Sequence, residues 1–443
     1  MSTDTDRIVD VAVIGGGPAG STTATLLAEK GWQVVLFEKD RFPRFHIGES
    51  LLPMNLPILE RLGVLDQVRE IGVVKYGADF GPDVDGNGLE TIYFAEALDK
   101  NHPYAFQVKR AEFDKLLLDN AVRQGVEVHQ GVRVSTIDLG DHAPSRLQTT
   151  ADDGTTRHWQ ARFVVDASGR DTLLSRKLGL KQKNDRHQSA AIFGHFKNVT
   201  RRPGKDGGNI GIYWFKHGWF WMIPLRDDTM SVGAVCWPSY LKTRRTGIAE
   251  FLQQTIALCP PVRERMQDAR LIGEARATGN YSYRASRMTG DNYLLVGDAF
   301  AFVDPVFSSG VYFAMNGATL AADAVDCWLT DPAAAGPALR RFERQVRHGI
   351  GTVSWFIYRF TSPAMQRLFM APRNVFRIKE ALISMLAGDV FRNTPITRPL
   401  LLFKGIYRLT SLATGWQGWN AYRHRRNNVN VTFTGGTTSQ DPQ

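Results

Sequence analysis

A short apolar strand that breaks into Gly15-Gly16-Gly17-Pro18-Ala19-Gly20 and restarts as a small-residue helix constrains this chain more than any other feature. Val9–Ile14 supplies the strand and Ser21–Lys30 the helix. Within Gly15-x-Gly17-x-x-Gly20, Gly15 permits the tight turn and Gly17 lets a pyrophosphate approach the backbone, while Gly20 allows close helix–strand packing. Pro18 and Ala19 complete the turn and join the glycines as cofactor-contact candidates. A second strand, Gln33–Phe37, ends at Glu38, placed to accept hydrogen bonds from a ribose diol. The motif predicts a doubly wound, Rossmann-like α/β domain that holds a dinucleotide beyond the carboxyl ends of its strands.

Two more apolar strands end in the same manner. Phe163–Val165 runs into Asp166-Ala167-Ser168-Gly169, and Leu294–Val296 runs into Gly297-Asp298. Arg110-Ala111-Glu112-Phe113-Asp114 opens a helix after an extended segment, a usual place for an arginine facing a flavin. Such strand ends, brought to one sheet edge, point to FAD rather than NAD, with Asp298 placed for the ribityl or ribose hydroxyls. Residues Phe302-Val303-Asp304-Pro305-Val306-Phe307-Ser308-Ser309-Gly310 follow. Pro305 stiffens the approach, and small Ser308, Ser309 and Gly310 let the backbone come close to a flat ring. A helix start of this kind is an anion site, because its first N–H groups lack partners and the dipole is positive there.

The FAD domain is expected to be discontinuous, built from residues 1–73, 108–182 and 276–330. Segments 74–107 and 183–275 read as an inserted antiparallel β-sheet substrate domain. Within it, Ala190–Phe196, Ile210–Phe215, Trp219–Leu225 and Met230–Trp237 alternate apolar and polar residues between turn-rich stretches. Residues 331–430 read as a C-terminal helical region. Its aromatics, Phe342, Trp355, Phe356, Tyr358, Phe360, Phe369, Phe376 and Phe391, are expected to pack as core. Polar residues 431–443 read as a disordered tail.

Composition narrows the classes further. Hydrophobic residues make up 43% and charged residues 22%, which suits a folded enzyme and excludes a largely disordered chain. The three cysteines form no metal-ligand spacing, so the expectation is a reduced, cytoplasmic protein with no structural metal. Met1–Arg7 is polar and leads straight into a strand, and no apolar run is long enough to span a membrane, so neither a signal peptide nor a spanning segment is expected. The net charge of +10 is concentrated after Arg340, notably in Arg423-His424-Arg425-Arg426. No nucleic-acid motif accompanies it, whereas a solvated helical face, anionic lipid or an acidic protein would suit such a surface.

With these motifs in place the chain resembles the flavin-dependent monooxygenase superfamily of the hydroxybenzoate hydroxylase fold, and within it the flavin-dependent halogenases acting on phenol, pyrrole or acyl-aromatic substrates. Trp219-Phe220-Trp221-Met222-Ile223-Pro224 is similar to the halogenase WxWxIP motif, and Phe302, Pro305, Ser308 and Gly310 to FxxPxxSxG. Gly48-Glu49-Ser50-Leu51-Leu52-Pro53, followed by Gly72-Val73-Val74-Lys75-Tyr76-Gly77, matches a third region. The resemblance implies flavin contacts that include Lys39, Arg44, Ser50, Arg110, Asp298, Pro305 and Gly310, and a halide at Ser308, Ser309 and Gly310. Trp219 and Trp221 are expected to keep substrate from the flavin, and Lys75 to deliver halogen from the far end of a tunnel. Ser168-Gly169 stands where hydroxylase relatives carry Asp-Gly, which implies FADH2 supplied by a separate flavin reductase. The other expected reactants are O2, chloride or bromide, and an electron-rich aromatic, free or tethered to a carrier protein. The nearest alternative is a flavin monooxygenase or oxidoreductase without halide chemistry; a non-catalytic flavin-binding subunit is the third reading.

Overall fold

A computed structural model describes residues 8–82, 88–140, 144–279, 282–371, 373–431 and 433. Met1–Arg7 and nearly all of the expected tail lie outside the described residues. Parallel strands Glu127–Gln130, Val34–Glu38, Ile8–Ile14 and Thr156–Asp166 stand side by side in that order. The last of these is shared along its far edge. Its first half pairs antiparallel with Ser145–Ala151, and its final residues pair parallel with Tyr293–Leu295. Val11–Ile14, Val34–Phe37 and Phe163–Val165 are buried without interruption, as strands between helical layers must be. Helix Pro18–Glu29 packs against Arg110–Arg123 and Gly310–Thr330.

Register sets the height of every strand end. Ile14 lies opposite Phe37 and Asp166, and Asp166 lies opposite Leu295. The turns that begin at Gly15, Glu38, Ala167 and Val296 therefore leave the sheet from one edge. This edge is where a doubly wound sheet binds its ligand.

A second sheet runs Arg270–Thr278, Ala190–Lys197, Met230–Cys236, Gly218–Pro224, Ile210–Phe215, Gly77–Gly81, Glu90–Tyr93. Two features correct the sequence expectation. Ile210–Phe215 runs parallel to Gly77–Gly81, so the sheet is not wholly antiparallel. Gly218–Pro224 and Met230–Cys236 are buried throughout rather than alternating. The reason is that one face meets helices Ile248–Ala257 and Pro260–Arg265, while the other meets the C-terminal helices.

Helix Pro332–Ile357 opens the C-terminal region. Asp331 caps it, its carboxylate accepting from the Ala333 and Ala334 N–H groups, with Pro332 in the first turn. Phe342, Phe356, Phe360 and Phe369 are buried as expected. Phe376 is not: it sits in a left-handed turn (φ 51°) and is 75% exposed. Among the described residues no helix is long and apolar enough to cross a membrane. Cys236 and Cys259 are buried, Cys327 is half-buried, and all three are free thiols.

Trp221 pairs with Gly233 on the neighbouring strand, and a Cβ at Gly233 would lie 2.3 Å from the indole and 2.6 Å from the Phe193 side chain. Gly233→Ala is therefore expected to destabilise the protein by about 1–3 kcal/mol through overpacking. Chemical denaturation measures this; an unchanged midpoint would mean that the tryptophan is not held where the sheet places it.

Candidate active site

A cleft of about 340 Å³ opens between the carboxyl edge of the first sheet and the second sheet. Gly15, Gly17, Pro18, Ala19, Glu38, Lys39, Arg44, Ser50, Arg110, Asp298, Pro305, Ser308, Ser309, Gly310, Trp219 and Trp221 all line it. Of the residues singled out from sequence, Gly20 and Lys75 do not. A Cβ on Gly20 would lie 1.8 Å from the Gly15 carbonyl oxygen, so its bare backbone serves helix–strand packing.

The floor is made of backbone. The Gly16 N–H donates to Glu38 Oε2 at 2.6 Å and the Asp40 N–H to Oε1 at 2.9 Å, which fixes the buried carboxylate under the glycine turn. Helix Pro18–Glu29 has no side-chain cap and no acid in its first turn, so its leading N–H groups stay available to an anion. A Cβ on Gly17 would meet only Arg44 Nη2, at 3.7 Å, leaving a cradle that a pyrophosphate fits. Lys39 pairs with Asp171 at 2.6 Å on the rim.

Arg110 lines the cleft, but its donors are spent locally. Nε and Nη2 fork onto Asp114 at 2.7 and 2.9 Å, and Nη1 donates to the Ile47 carbonyl at 2.9 Å. Arg44 adds a third guanidinium bond to Asp114, also at 2.9 Å. The two arginines hold the Asp114 carboxyl below its ordinary range against the opposing effect of burial. This cluster anchors the 44–48 loop to the FAD-side helix. His46, half-buried beside Arg110, is pushed down to about 4, first by loss of solvent and then by that charge.

Opposite lies the 302–310 loop. Ser308 adopts a left-handed φ of 56° and donates its N–H to the Pro305 carbonyl. Gly310 then starts a helix with no acid in its first turn and no side-chain cap. Asp298 stands beside it, and burial pushes its carboxyl up to about 6 despite the pull of Arg170 and Arg110. The partners of two acidic residues, Asp304 and Glu49, were not foreseen in the sequence. Asp304 accepts from Ser189 Oγ at 2.8 Å and contacts His187 Nε2 at 3.1 Å. Glu49 meets His195 Nε2 at 2.8 Å. Both join residues more than a hundred positions apart, so no local pattern announces them.

Trp219 and Trp221 share one face of their strand, with ring centroids 6.2 Å apart, and form the wall toward the C-terminal helices. Trp221 Nε1 donates to Ser231 Oγ at 3.1 Å, and Phe193 and Phe360 pack against the pair. Lys75 sits one residue behind the lining. Its Nζ donates to Ser50 Oγ at 2.9 Å and to the Leu51 carbonyl at 3.1 Å, with Phe94 beside it. Among the described residues no carboxylate pairs with it, and burial pulls the amine down to about 7.

A glycine-loop floor, a ribose-facing carboxylate and an uncapped helix start on one sheet edge define an FAD-binding flavoprotein. A family model described as an FAD binding domain matches residues 8–339. A pyrrole-2-carbonyl peptidyl-carrier-protein chlorinase from Pseudomonas fluorescens is 30% identical over 411 residues, covering 87% of this chain and 90% of its own. The structure of a myxobacterial chondrochloren halogenase superposes with a TM-score of 0.76 at 32% identity, covering 93% of this chain and 99% of its own. That of a flavoprotein/dehydrogenase from Cytophaga hutchinsonii superposes with a TM-score of 0.84 at 31% identity, covering 92% and 100%. The chain belongs to the FAD-binding flavoenzymes and, within them, to the flavin-dependent halogenases.

Because the fold lowers the affinity of Lys75 for a proton, the unfolded chain binds more protons than the folded one between pH about 7 and 10.5. Stability from this group therefore rises with pH across that window and is lost as pH falls through about 7. Lys75→Met is expected to remove a slope of up to about 1.4 kcal/mol per pH unit. Denaturation at about pH 7.5 and about pH 9.5 reads it; an unchanged slope would mean that the lysine stays protonated in the fold.

Proposed function

We propose that this halogenase acts on an electron-rich aromatic acyl group, pyrrole- or phenol-like, held on a carrier protein, with chloride or bromide as halogen source. The same reading places it in the cytoplasm beside a separate reductase that supplies FADH2. Reduced flavin and O2 provide an electrophilic oxygen when the cofactor is bound. The chain's residues do the rest. The Ser309 and Gly310 N–H groups, beside Ser308 whose own N–H is held by Pro305, bind the halide at an uncapped helix start, without a competing side-chain charge. Hypohalous acid would be the product of that chemistry on the held halide. Trp219 and Trp221, both buried and wedged by Phe193 and Phe360, keep the organic substrate from reaching the flavin directly. Lys75 then accepts halogen as a neutral amine: an N–halogen bond forms, the oxygen–halogen bond breaks, and water leaves. The ring carbon takes the halogen and surrenders its proton, restoring the amine.

The observation that carries this reading is the buried Lys75, uncompensated and hydrogen-bonded to Ser50 at the cleft wall. A structural ion pair would have brought a carboxylate with it. The likeness to a flavoprotein/dehydrogenase favours a second reading, flavin chemistry without halide.

The two separate in one experiment. The FAD-loaded protein is reduced anaerobically, oxygen is admitted with or without halide, peroxide is removed with catalase, and retained oxidant is titrated with a thiol. Wild type is expected to hold halide-dependent oxidant, and Lys75→Ala to consume oxygen normally while losing about 10²-fold or more of that signal. Oxygen consumption with no halide dependence would establish the second reading instead.

A further inference from the structure

A second cavity, of about 550 Å³, adjoins the flavin cleft and shares Ala301, Val303 and Ile350 with it. Arg359 projects into its wall just beyond the end of helix Pro332–Ile357, 4.3 Å above the Trp355 ring. Helix Thr397–Ala413 brings Lys404 Nζ to 5.2 Å from the centre of the same indole, and the Tyr407 ring to 5.8 Å from Arg359. Arg186, Arg408 and Arg425 crowd the same guanidinium closely enough to repel it. Arg425 turns inward to donate to the Tyr358 carbonyl, so it belongs to this cluster and not to the outer basic surface read from the sequence.

Among the described residues no ion pair reaches Arg359, Lys404 or Arg425. Arg359, Lys404 and Arg425 are all held below their ordinary values, first by burial, then for Arg359 by Arg425, Arg408 and Arg186, and for Lys404 by Arg359 and Arg408. No carboxylate figures among the groups acting on them. Arg347, in the same lining, is paired with Glu343, and Asp185 is the acid on the rim. Half-buried cations that have backbone carbonyls but no acid beside them raise the energy of the empty site, and a bound anion relieves it. Planar guanidinium forks match the oxygens of a phosphate best.

We propose that this cavity holds the phosphodiester of a carrier protein's phosphopantetheine arm. The arm then runs along the shared wall at Val303 and Ile350 into the flavin cleft, carrying the acyl group on its terminal thioester. Trp355 and Tyr358 flank its apolar stretch, and the Asn184 amide, donating to the Tyr358 hydroxyl at 2.9 Å and to Ser282 Oγ at 2.8 Å, holds that wall in place. The assignment rests on the carrier-tethered reading above, and it adds where the tether is gripped.

The test uses the FAD-loaded enzyme and binding alone. Phosphopantetheine, pantetheine, inorganic phosphate and NADPH are titrated calorimetrically into wild type and into Arg186→Gln/Arg408→Gln, whose side chains are exposed. Phosphopantetheine is expected to bind wild type about tenfold or more tighter than pantetheine or phosphate, and the double variant to lose that margin with its FAD content unchanged. Equal binding of pantetheine and phosphopantetheine, a margin that survives in the variant, or tighter binding of NADPH would each overturn the proposal. Turnover separates its failure from that of the parent reading. Halogenation of a free aromatic acid but not of its carrier-bound form sinks the carrier reading. Carrier-bound turnover with an undiminished kcat/KM in the double variant sinks only the cavity assignment.

Discussion

Beyond the last paired residues of the first sheet, the backbone continues the ladder. The Gly15 N–H donates to the Phe37 carbonyl, Ala167 to Ile14, and Val296 to Asp166. These bonds tie the turns to one edge before any side chain is considered. Asp166 completes the arrangement from beneath: fully buried, it accepts from the Ser168 N–H at 2.9 Å and the Leu174 N–H at 2.8 Å. Burial raises its carboxyl, and the two backbone donors oppose that shift. A neutral or missing acceptor here would free the 167–174 turn and tilt the floor on which the glycine loop and Asp298 rest. Every cofactor contact considered above stands on that short stretch of register.

Charge is then distributed by whether it has a partner. Arg110, Asp114 and Arg44 neutralise one another within hydrogen-bonding distance, and they behave as structure. Lys75 and Asp298 have no ion-pair partner of that kind, and burial moves each toward neutrality, the amine to about 7 and the carboxyl to about 6. Groups poised in this way can change protonation during a reaction, whereas a matched cluster resists it. The contrast separates Arg110, a residue that shapes the 44–48 loop, from Lys75, a residue suited to chemistry.

How much of this could be read from the sequence depends on how far apart the interacting residues lie. The Gly15–Gly20 turn and Glu38 are local, and the rule of two residues per strand repeat put Trp219 and Trp221 on one face. Asp114 was within reach too, four residues after Arg110 on a helix, the spacing at which side chains meet. The Glu49–His195 and His187–Asp304 contacts were not, because they depend on how the second sheet docks on the first. The same limit explains the strand errors. Gly218–Pro224 reads as alternating only if one face is wet, and the helices that dry the other face come from more than a hundred residues downstream. Phe376 failed for the opposite reason, since a left-handed turn carries it off a surface that its helical spacing had placed inside.

The C-terminal helices touch both cavities, and this division has a consequence for specificity. Phe360 and Phe369 pack behind the tryptophan wall, while Arg359, between them and Trp355, belongs to the second cavity. The FAD floor draws no residue from this region beyond Val346 and Ile350 in the outer lining. Substitutions among Lys404, Arg408 and Arg425 would therefore act on this flank without touching the glycine turn or the 302–310 loop. A flavin fold with a fixed oxidant-generating edge and a separately encoded helical flank can change substrate by changing that flank alone.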